Sequence, residues 1–154
     1  MFETPVDALY VWAGLAVVSL VTLGIAVQTP RAAPPDAAEF ADTVDAVGAS
    51  EYPATAEHPS RATAARIGPD RVALRNDGGR ASATLVVEAV PARNGRLERV
   101  LHGADPRREF DSRASFERAV ETARGAEPRW HSTDGTFVVR HLSWGDLDVT
   151  LVGD

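Results

Sequence analysis

The stretch RVALRNDGGRASATLVVEAV, residues 71–90, alternates apolar and polar side chains with a period of two. Val72 and Leu74 alternate with arginine and alanine, which is the pattern of a half-buried β-strand. The sequence NDGG at 76–79 supplies residues that tolerate positive φ, as a tight hairpin turn requires. A second strand follows over residues 81–90. This stretch therefore predicts an antiparallel hairpin, from which the rest of the fold can be worked out.

The segments on either side of a second turn extend this pattern. The turn PARNG, residues 91–95, is followed by a predicted third strand from Arg96 to His102. Three sequential strands joined by tight turns form an antiparallel meander.

The stretch DSRASFERAVETARG, residues 111–125, has the helical period instead. Asp111 or Ser112 can cap its start, and Gly125 is a natural stop. One narrow apolar stripe runs along it, made by Phe116, Ala119, Val120 and Ala123. A stripe of this width predicts a helix that packs on the sheet.

The C-terminal part contains three more alternating runs. PRWHST, TFVVRHLSW and LDVTLV cover residues 128–133, 136–144 and 147–152, with the turn pairs DG and GD between them. Such pairs are typical of two-residue hairpin turns, so the tail predicts a second meander. The predicted fold class is α+β, with antiparallel meanders and one packed helix.

An apolar run near the N-terminus, ALYVWAGLAVVSLVTLGIAV over residues 8–27, contains no charged residue. Twenty helical residues rise about 30 Å, which matches the hydrocarbon core of a bilayer. The segment before it, MFETPVD, is acidic rather than basic, and the end of the run matches a cleavage site poorly. We therefore expect a retained, single transmembrane anchor within residues 1–29 rather than a removed signal peptide.

The segment after the predicted anchor is rich in proline and alanine. We expect residues 30–69 to be a linker with a short helix near 36–47, capped by Asp36, and residues 70–154 to be the folded domain. Arg31 alone would place the C-terminal part inside the cell by the positive-inside rule. A short N-terminal tail before a first span is also common in proteins whose C-terminal domain is exported. We expect a cell-membrane protein with an extracellular C-terminal domain.

The charge composition limits the partners that the chain can be expected to have. Its 16 basic residues are all arginine, and they stand against 22 acidic residues, which gives a net charge of −6. An acidic, alanine-rich chain without lysine is typical of extreme halophiles, where carboxylates keep a surface hydrated. A GC-rich genome is the alternative explanation. The arginines are scattered among acids along the sequence, so we expect no nucleic-acid partner.

The residue types that usually carry chemistry form no specific motif. The chain has no cysteine, and its four histidines, His58, His102, His131 and His141, lack metal-ligand spacing. Phosphate-binding, dinucleotide-binding and nucleophile-elbow motifs are missing as well. We therefore predict no catalytic residue, no cofactor and no metal site.

Two histidines leave open the alternative of a ligand-binding or catalytic site, whereas the other candidate residues are interpreted as structural. His131 and His141 fall on neighbouring predicted strands and could approach each other. Trp130 and Trp144 are interpreted as core or sheet-face residues rather than as a ligand platform. The local basic cluster of Arg107, Arg108 and Arg113, and the turn acids Asp146 and Asp148, are interpreted as solvated surface.

Four segments carry a resemblance to known proteins: FETPVDALYVWAGLAVVSL, AEFADTVDAV, GPDRVALRNDGG and WGDLDVTLV. With these, the chain resembles an uncharacterised family of small haloarchaeal membrane proteins, which brings no known activity. It is more loosely similar to archaeal type IV pilin-like proteins and accessory subunits, with one apolar helix before a β-rich domain. It departs from pilins because it lacks a basic leader and because Pro30, Pro34 and Pro35 interrupt the long helix.

The sequence supports two functional hypotheses from different classes. The first is a non-enzymatic, membrane-anchored envelope protein that acts by protein–protein contact, in a pilus-like or secretion assembly. The second is a membrane-tethered ligand-binding domain or enzyme that faces the cytoplasm. A pilin with a processed N-terminus is a third interpretation.

Overall fold

The computed structural model describes residues 32–154, which form one compact unit, Ala32–Asp154. Its helices are α1 (Ala37–Gly48), α2 (Gly95–Leu101), α3 (Pro106–Glu109) and α4 (Arg113–Arg124). Its strands are β1 (Ala54–Pro59), β2 (Ala64–Ile67), β3 (Arg71–Asn76), β4 (Gly79–Thr84), β5 (Ala89–Pro91), β6 (His131–Ser132), β7 (Thr136–Trp144) and β8 (Leu147–Gly153).

The strands form two sheets of four strands each. Sheet I has the order β1-β7-β8-β5, and sheet II has the order β4-β3-β2-β6. Neighbouring strands are antiparallel except β5 and β8, which are parallel and pair Val90 with Leu151. The α+β class with mostly antiparallel strands is therefore confirmed.

Helix α1 contacts both sheets and fills the core between them. The Asp36 side chain caps its start and accepts the N–H groups of Ala38 and Glu39 at 3.1 and 3.0 Å. Phe40, fully buried, stacks on Phe137 of β7 with 4.5 Å between the ring centroids. Val72 and Leu74 reach the same core from β3, since alternate strand residues point to the same side. The predicted short helix is thus an element of the core.

The second core lies on the opposite face of sheet I, beneath α2 and α4. Phe116 and Val120 of α4 are fully buried there, together with Val90 of β5 and Leu151 of β8. The Arg140 guanidinium of β7 donates to the carbonyl groups of Val100 and Ala104 at the end of α2. A cation at this position interacts favourably with the negative end of the helix dipole.

Two of the predicted hairpins and the predicted cap of the last helix are present. Strands β3 and β4 form the predicted hairpin, closed by the pair Asn76 and Gly79. Strands β7 and β8 form the other, closed by Trp144 and Leu147. Helix α4 starts at Ser112, whose hydroxyl group and that of Ser115 form a reciprocal capping box.

Both predicted meanders are wrong at one end, the first in its last strand and the second in its first strand. Residues 96–102 are not a strand, because Gly95–Leu101 form α2 and bury Leu97, Val100 and Leu101 at helical spacing. The predicted second strand, 81–90, is divided. Its first part is β4 in sheet II, whereas Ala89–Pro91 cross to sheet I as β5. The strand predicted at 128–133 is reduced to β6, which pairs with β2 instead of β7.

The folded unit starts earlier than residue 70, the boundary expected from the sequence. The segment 50–69, predicted to be irregular, contains β1 and β2, which pair with β7 and β3. These strands are short and rich in alanine, so their alternation is weak in the sequence. Among residues 32–154, no helix is long and apolar enough to cross a bilayer. The anchor predicted at residues 8–27 lies outside the described residues.

Candidate functional site

A groove of about 630 Å³ lies between α4, the segment between β5 and α2, and the chain that follows α4. We call it the α4 groove. Its floor is mostly apolar, with Ile67, Leu97, Phe110, Ala119, Ala123 and Pro128. Its volume is within the range of natural ligand and peptide sites, about 300–1,000 Å³. The groove is therefore large enough to bind a side-chain cluster or a small molecule.

Local contacts fix the wall of this groove opposite the helix. Phe110 packs edge-on against Phe116, with 5.2 Å between the ring centroids. The Arg96 guanidinium lies 4.8 Å above the Phe110 ring and donates to the Glu109 carbonyl at 3.4 Å. Arg99 binds Glu109 of α3 at 2.8 Å and links α2 to α3. The wall is therefore held in place by the contact of Phe110 with the second core and by the polar contacts of Arg96 and Arg99.

The rim of the α4 groove is basic. Four exposed arginines line it, namely Arg93, Arg96, Arg118 and Arg129. The one carboxylate among the lining residues is Glu127, which lies 3.7 Å from Arg129 in a fully solvated pair. No carboxylate of residues 32–154 comes within salt-bridge distance of the other three guanidinium groups. The rim is thus positively charged although the chain as a whole is acidic.

A second basic surface covers the outer face of sheet II. Three guanidinium carbons surround the Trp130 ring, those of Arg66, Arg75 and Arg80 at 5.4, 4.8 and 4.9 Å from its centroid. These distances allow cation–π attraction. Arg71 is exposed on the same face, because strand residues two and four apart point the same way. We call this surface the arginine sheet face.

The two basic surfaces adjoin each other. A shallow cleft that includes Arg66 and Arg71 shares Glu127 and Pro128 with the α4 groove. Pro128 packs on Gly68, where an added Cβ would lie 3.1 Å from its Cγ. Each surface contributes four arginines, so half of the 16 basic residues of the chain lie on one side of the domain. We call these residues together the arginine side.

The two histidines that the sequence allowed to approach each other lie in different sheets. His131 Nε2 is 3.3 Å from Asp154 Oδ1, next to sheet II. His141 is buried in sheet I, with its Nδ1 3.3 Å from the Thr150 hydroxyl. Thr150 and Asp154 are four residues apart along an extended segment, or roughly 13 Å. The imidazoles therefore contact different partners and do not form one site.

The histidine nearest to a polar cleft is His58 of β1. It is 7% exposed, and its ring lies 5.3 Å from the Phe40 ring. Its Nδ1 is 3.1 Å from the Thr43 hydroxyl, which donates to the Glu39 carbonyl at 3.0 Å. Because a hydroxyl has a single proton, this geometry favours a proton on Nδ1. These contacts attach β1 to α1, which is a structural role.

The remaining residues singled out from the sequence are dispersed. Arg107 and Arg108 are exposed on α3, whereas Arg113 of α4 forms an ion pair with Asp146. That hydrogen-bonded guanidinium lowers the pKa of the exposed Asp146 carboxyl. Trp144 packs against Phe116 at 5.8 Å. Across the part of the chain that the structure describes, no three histidine or acidic side chains are grouped as metal ligands.

The arginine side is not visible in the sequence because its members are distributed over several elements and connections, from β2 to the chain that follows α4. The arginines of β3 and β4 stand out there only as the polar half of an alternating pattern. These arginines face outward from sheet II, and the pairing of β3 with β4 places Arg75 directly opposite Arg80. Like charges at opposed positions are unfavourable. The Trp130 ring between them was the one available signal, since an indole attracts cations.

Comparison with known proteins gives one match. No curated protein and no solved structure matches this chain. A family of unknown function, DUF7283, matches residues 3–142, which is most of the sequence. The chain therefore belongs to the DUF7283 family.

Proposed function

We propose that this protein is a non-enzymatic docking module of the cell envelope, which binds an acidic protein partner on its arginine side. The observation that carries the proposal is the concentration of half of the arginines on one side of the domain, along the α4 groove and the adjoining arginine sheet face, in a chain with a net charge of −6. Holding like charges together is unfavourable unless something compensates them. An acidic partner surface would supply that compensation.

In this proposal the apolar residues 8–27 anchor the chain in the membrane and the domain of residues 32–154 is extracellular. The anchor limits diffusion to two dimensions and raises the effective concentration of partners in the same membrane. The composition supports a halophilic archaeal source, and a pilus-like or secretion assembly is the setting that the looser resemblance suggests. In concentrated salt the Debye length falls to about 3 Å, so only direct contacts would remain effective.

A protein partner is favoured over nucleic acid by the charge of the whole molecule. Acidic residues dominate outside the arginine side, and they would repel a long polyanion that extended past it. An exported domain would also not meet nucleic acid as its usual ligand. A protein presents a limited acidic patch, which matches a basic surface of limited extent.

The proposal is tested by purifying the full-length protein from membranes of its native cells, with and without charge reversal on the arginine side. The test variant is Arg118→Glu with Arg129→Glu, and the matched control is Arg107→Glu with Arg108→Glu on exposed α3. We expect a partner that co-purifies with the wild type and the control but is lost from the test variant. The same set of proteins from all three would contradict the proposal, and so would recovery that nuclease treatment abolishes.

The volume of the α4 groove supports a second candidate, a membrane-tethered domain that binds a small molecule and faces the cytoplasm. The side of the membrane on which the domain lies distinguishes the two candidate functions. Protease added to intact cells would degrade an extracellular domain, whereas a domain that stays protected until lysis would favour this second candidate.

A further inference from the structure

Helix α4 presents a row of small side chains to the α4 groove. Ser115, Ala119, Thr122 and Ala123 face it, while Phe116 and Val120 on the other side of the helix are fully buried. From Ser115 to Ala123 the helix rises about 12 Å, or slightly more than two turns. A long, shallow floor of small residues allows another backbone element to approach closely.

Resting on the proposed docking function, we propose that the α4 groove takes a short amphipathic helix of the partner, with apolar residues on one face and acidic residues flanking them. Apolar residues at i, i+4 and i+7 would lie on the floor. The flanking carboxylates would meet Arg93 and Arg96 on one wall, and Arg118 and Arg129 on the other. Three of these arginines have no carboxylate partner in residues 32–154, so they are available for such pairs.

The groove geometry favours a helix over an added β-strand. Of the two strands that line the groove, β2 is an inner strand of sheet II, and β5 is the edge strand of sheet I, which has only three residues and ends at Pro91. Proline has no N–H group to donate to a new strand. The backbone N–H groups of Ala89 and Ala92 are already bonded, to the Pro69 and Val152 carbonyls at 2.8 and 2.9 Å. An extended segment would therefore find little backbone to pair with.

The groove has a charged rim and an apolar floor, and the contacts made by these two parts respond differently to salt. Contacts between guanidinium and carboxylate groups weaken as ionic strength rises. Burial of apolar surface on the floor is not screened, and excluded salts such as sulfate strengthen it. The affinity is expected to fall when sodium chloride is first added and then to level off rather than vanish.

The experiment measures binding of fluorescent peptides to the full-length protein in neutral detergent, by anisotropy. The first peptide, of about 14 residues, has leucine at helical spacing with glutamate on both sides of the stripe. The second has the same composition with the leucines distributed around the helix. The third has lysine in place of glutamate. We expect the first to bind at least about tenfold more tightly than the other two.

Protein variants locate the site. Arg118→Glu with Arg129→Glu is expected to weaken binding by about tenfold, while Arg107→Glu with Arg108→Glu leaves it unchanged. Thr122→Trp places a large ring in the groove without changing its charge, and it should also weaken binding about tenfold. Its matched control is Ala114→Trp, at an exposed position of the same helix outside the groove. Circular dichroism confirms that each variant is folded.

Other outcomes would overturn the inference. Equal binding of the first two peptides would mean that the groove recognises the negative charge of the peptide and not an apolar helix face. Binding of the protein to liposomes that contain phosphatidylglycerol, lost in the Arg118→Glu, Arg129→Glu variant and without binding of any peptide, would assign the groove to an anionic lipid. Failure of every peptide, with a co-purified partner still dependent on Arg118 and Arg129, would remove this inference and leave the docking function intact. Loss of that dependence would instead remove the docking function.

Discussion

Phe40 of α1 stacks on Phe137 of β7, with 4.5 Å between their ring centroids and neither ring accessible to solvent. This pair joins the first helix of the folded unit to its longest strand. Replacing Phe40 with alanine removes the stacking and leaves a cavity in the core between the sheets. We expect Phe40→Ala to lower the free energy of unfolding by about 3–5 kcal/mol, measured by denaturant titration. Tyr52→Ala is the control, because Tyr52 is 77% exposed and its loss should change stability little.

A carboxylate in α1 holds the segment that crosses between the sheets. Asp45 Oδ1 accepts the N–H groups of Val86 and Val87 at 2.9 and 3.0 Å. Since both backbone donors would lose a charged acceptor, we expect Asp45→Ala to destabilise the domain by about 1–3 kcal/mol. Asp42→Ala, at an exposed position of the same helix, should change stability by less than about 0.5 kcal/mol. Equal effects of the two variants in chemical denaturation would argue against this role of Asp45.

Hydrogen bonding to Arg113 lowers the pKa of Asp146 below its ordinary value. The folded state therefore favours the ionised carboxyl more than the unfolded state does. Its contribution to stability is present above the unfolded pKa and is lost as the pH falls through the lowered, folded pKa. We expect Arg113→Gln to raise the pKa of Asp146 toward 3.8 and to reduce this acid dependence. An NMR titration of the carboxyl group measures the Asp146 pKa in the wild type and the variant, and an unchanged pKa would contradict the pairing. Arg108→Gln is the control.

Two glycines with positive φ differ in what surrounds them. Gly135 has a φ of 90°, and a Cβ there would lie 2.6 Å from the Ser60 carbonyl oxygen. Gly103 has a φ of 109° with open space around it. Alanine at Gly103 should cost about 1–2 kcal/mol for the backbone conformation alone. Alanine at Gly135 should cost at least about 1 kcal/mol more, because the Ser60 backbone must move. Thermal unfolding of both variants measures the difference, and equal costs would exclude the close approach.

The parts of the fold predicted correctly depend on neighbouring residues in the chain. The β3–β4 and β7–β8 hairpins follow from turn residues between alternating runs, and α4 follows from its cap and apolar stripe. Helix α2 was missed because it is short and follows a turn sequence after two alternating runs, so a third strand was expected. Leu97, Val100 and Leu101 have helical spacing, whereas a strand would put the charged Arg99 on the same face as Leu97 and Leu101. The parallel pairing of β5 with β8 joins residues about sixty positions apart, which no local pattern indicates.

The arginine side could not be predicted for the same reason. Arg66 and Arg129 are separated in sequence by about half of the folded unit, yet they reach clefts that share Pro128. Along the sequence the arginines are interspersed with acidic residues, so no short window indicates a basic surface. The pairing of sheet II and the placement of α4 bring these arginines together in space.

A single introduced thiol tests the central claim, that a protein partner occupies the arginine side at the α4 groove. The chain contains no cysteine, so Ala123→Cys in the groove and Ala114→Cys on the exposed side of the same helix each give one unique attachment point. A photoreactive maleimide is attached on intact native cells and irradiated. We predict one discrete protein adduct from position 123 and none from position 114. The same adducts from both positions, or none from position 123, would contradict the account.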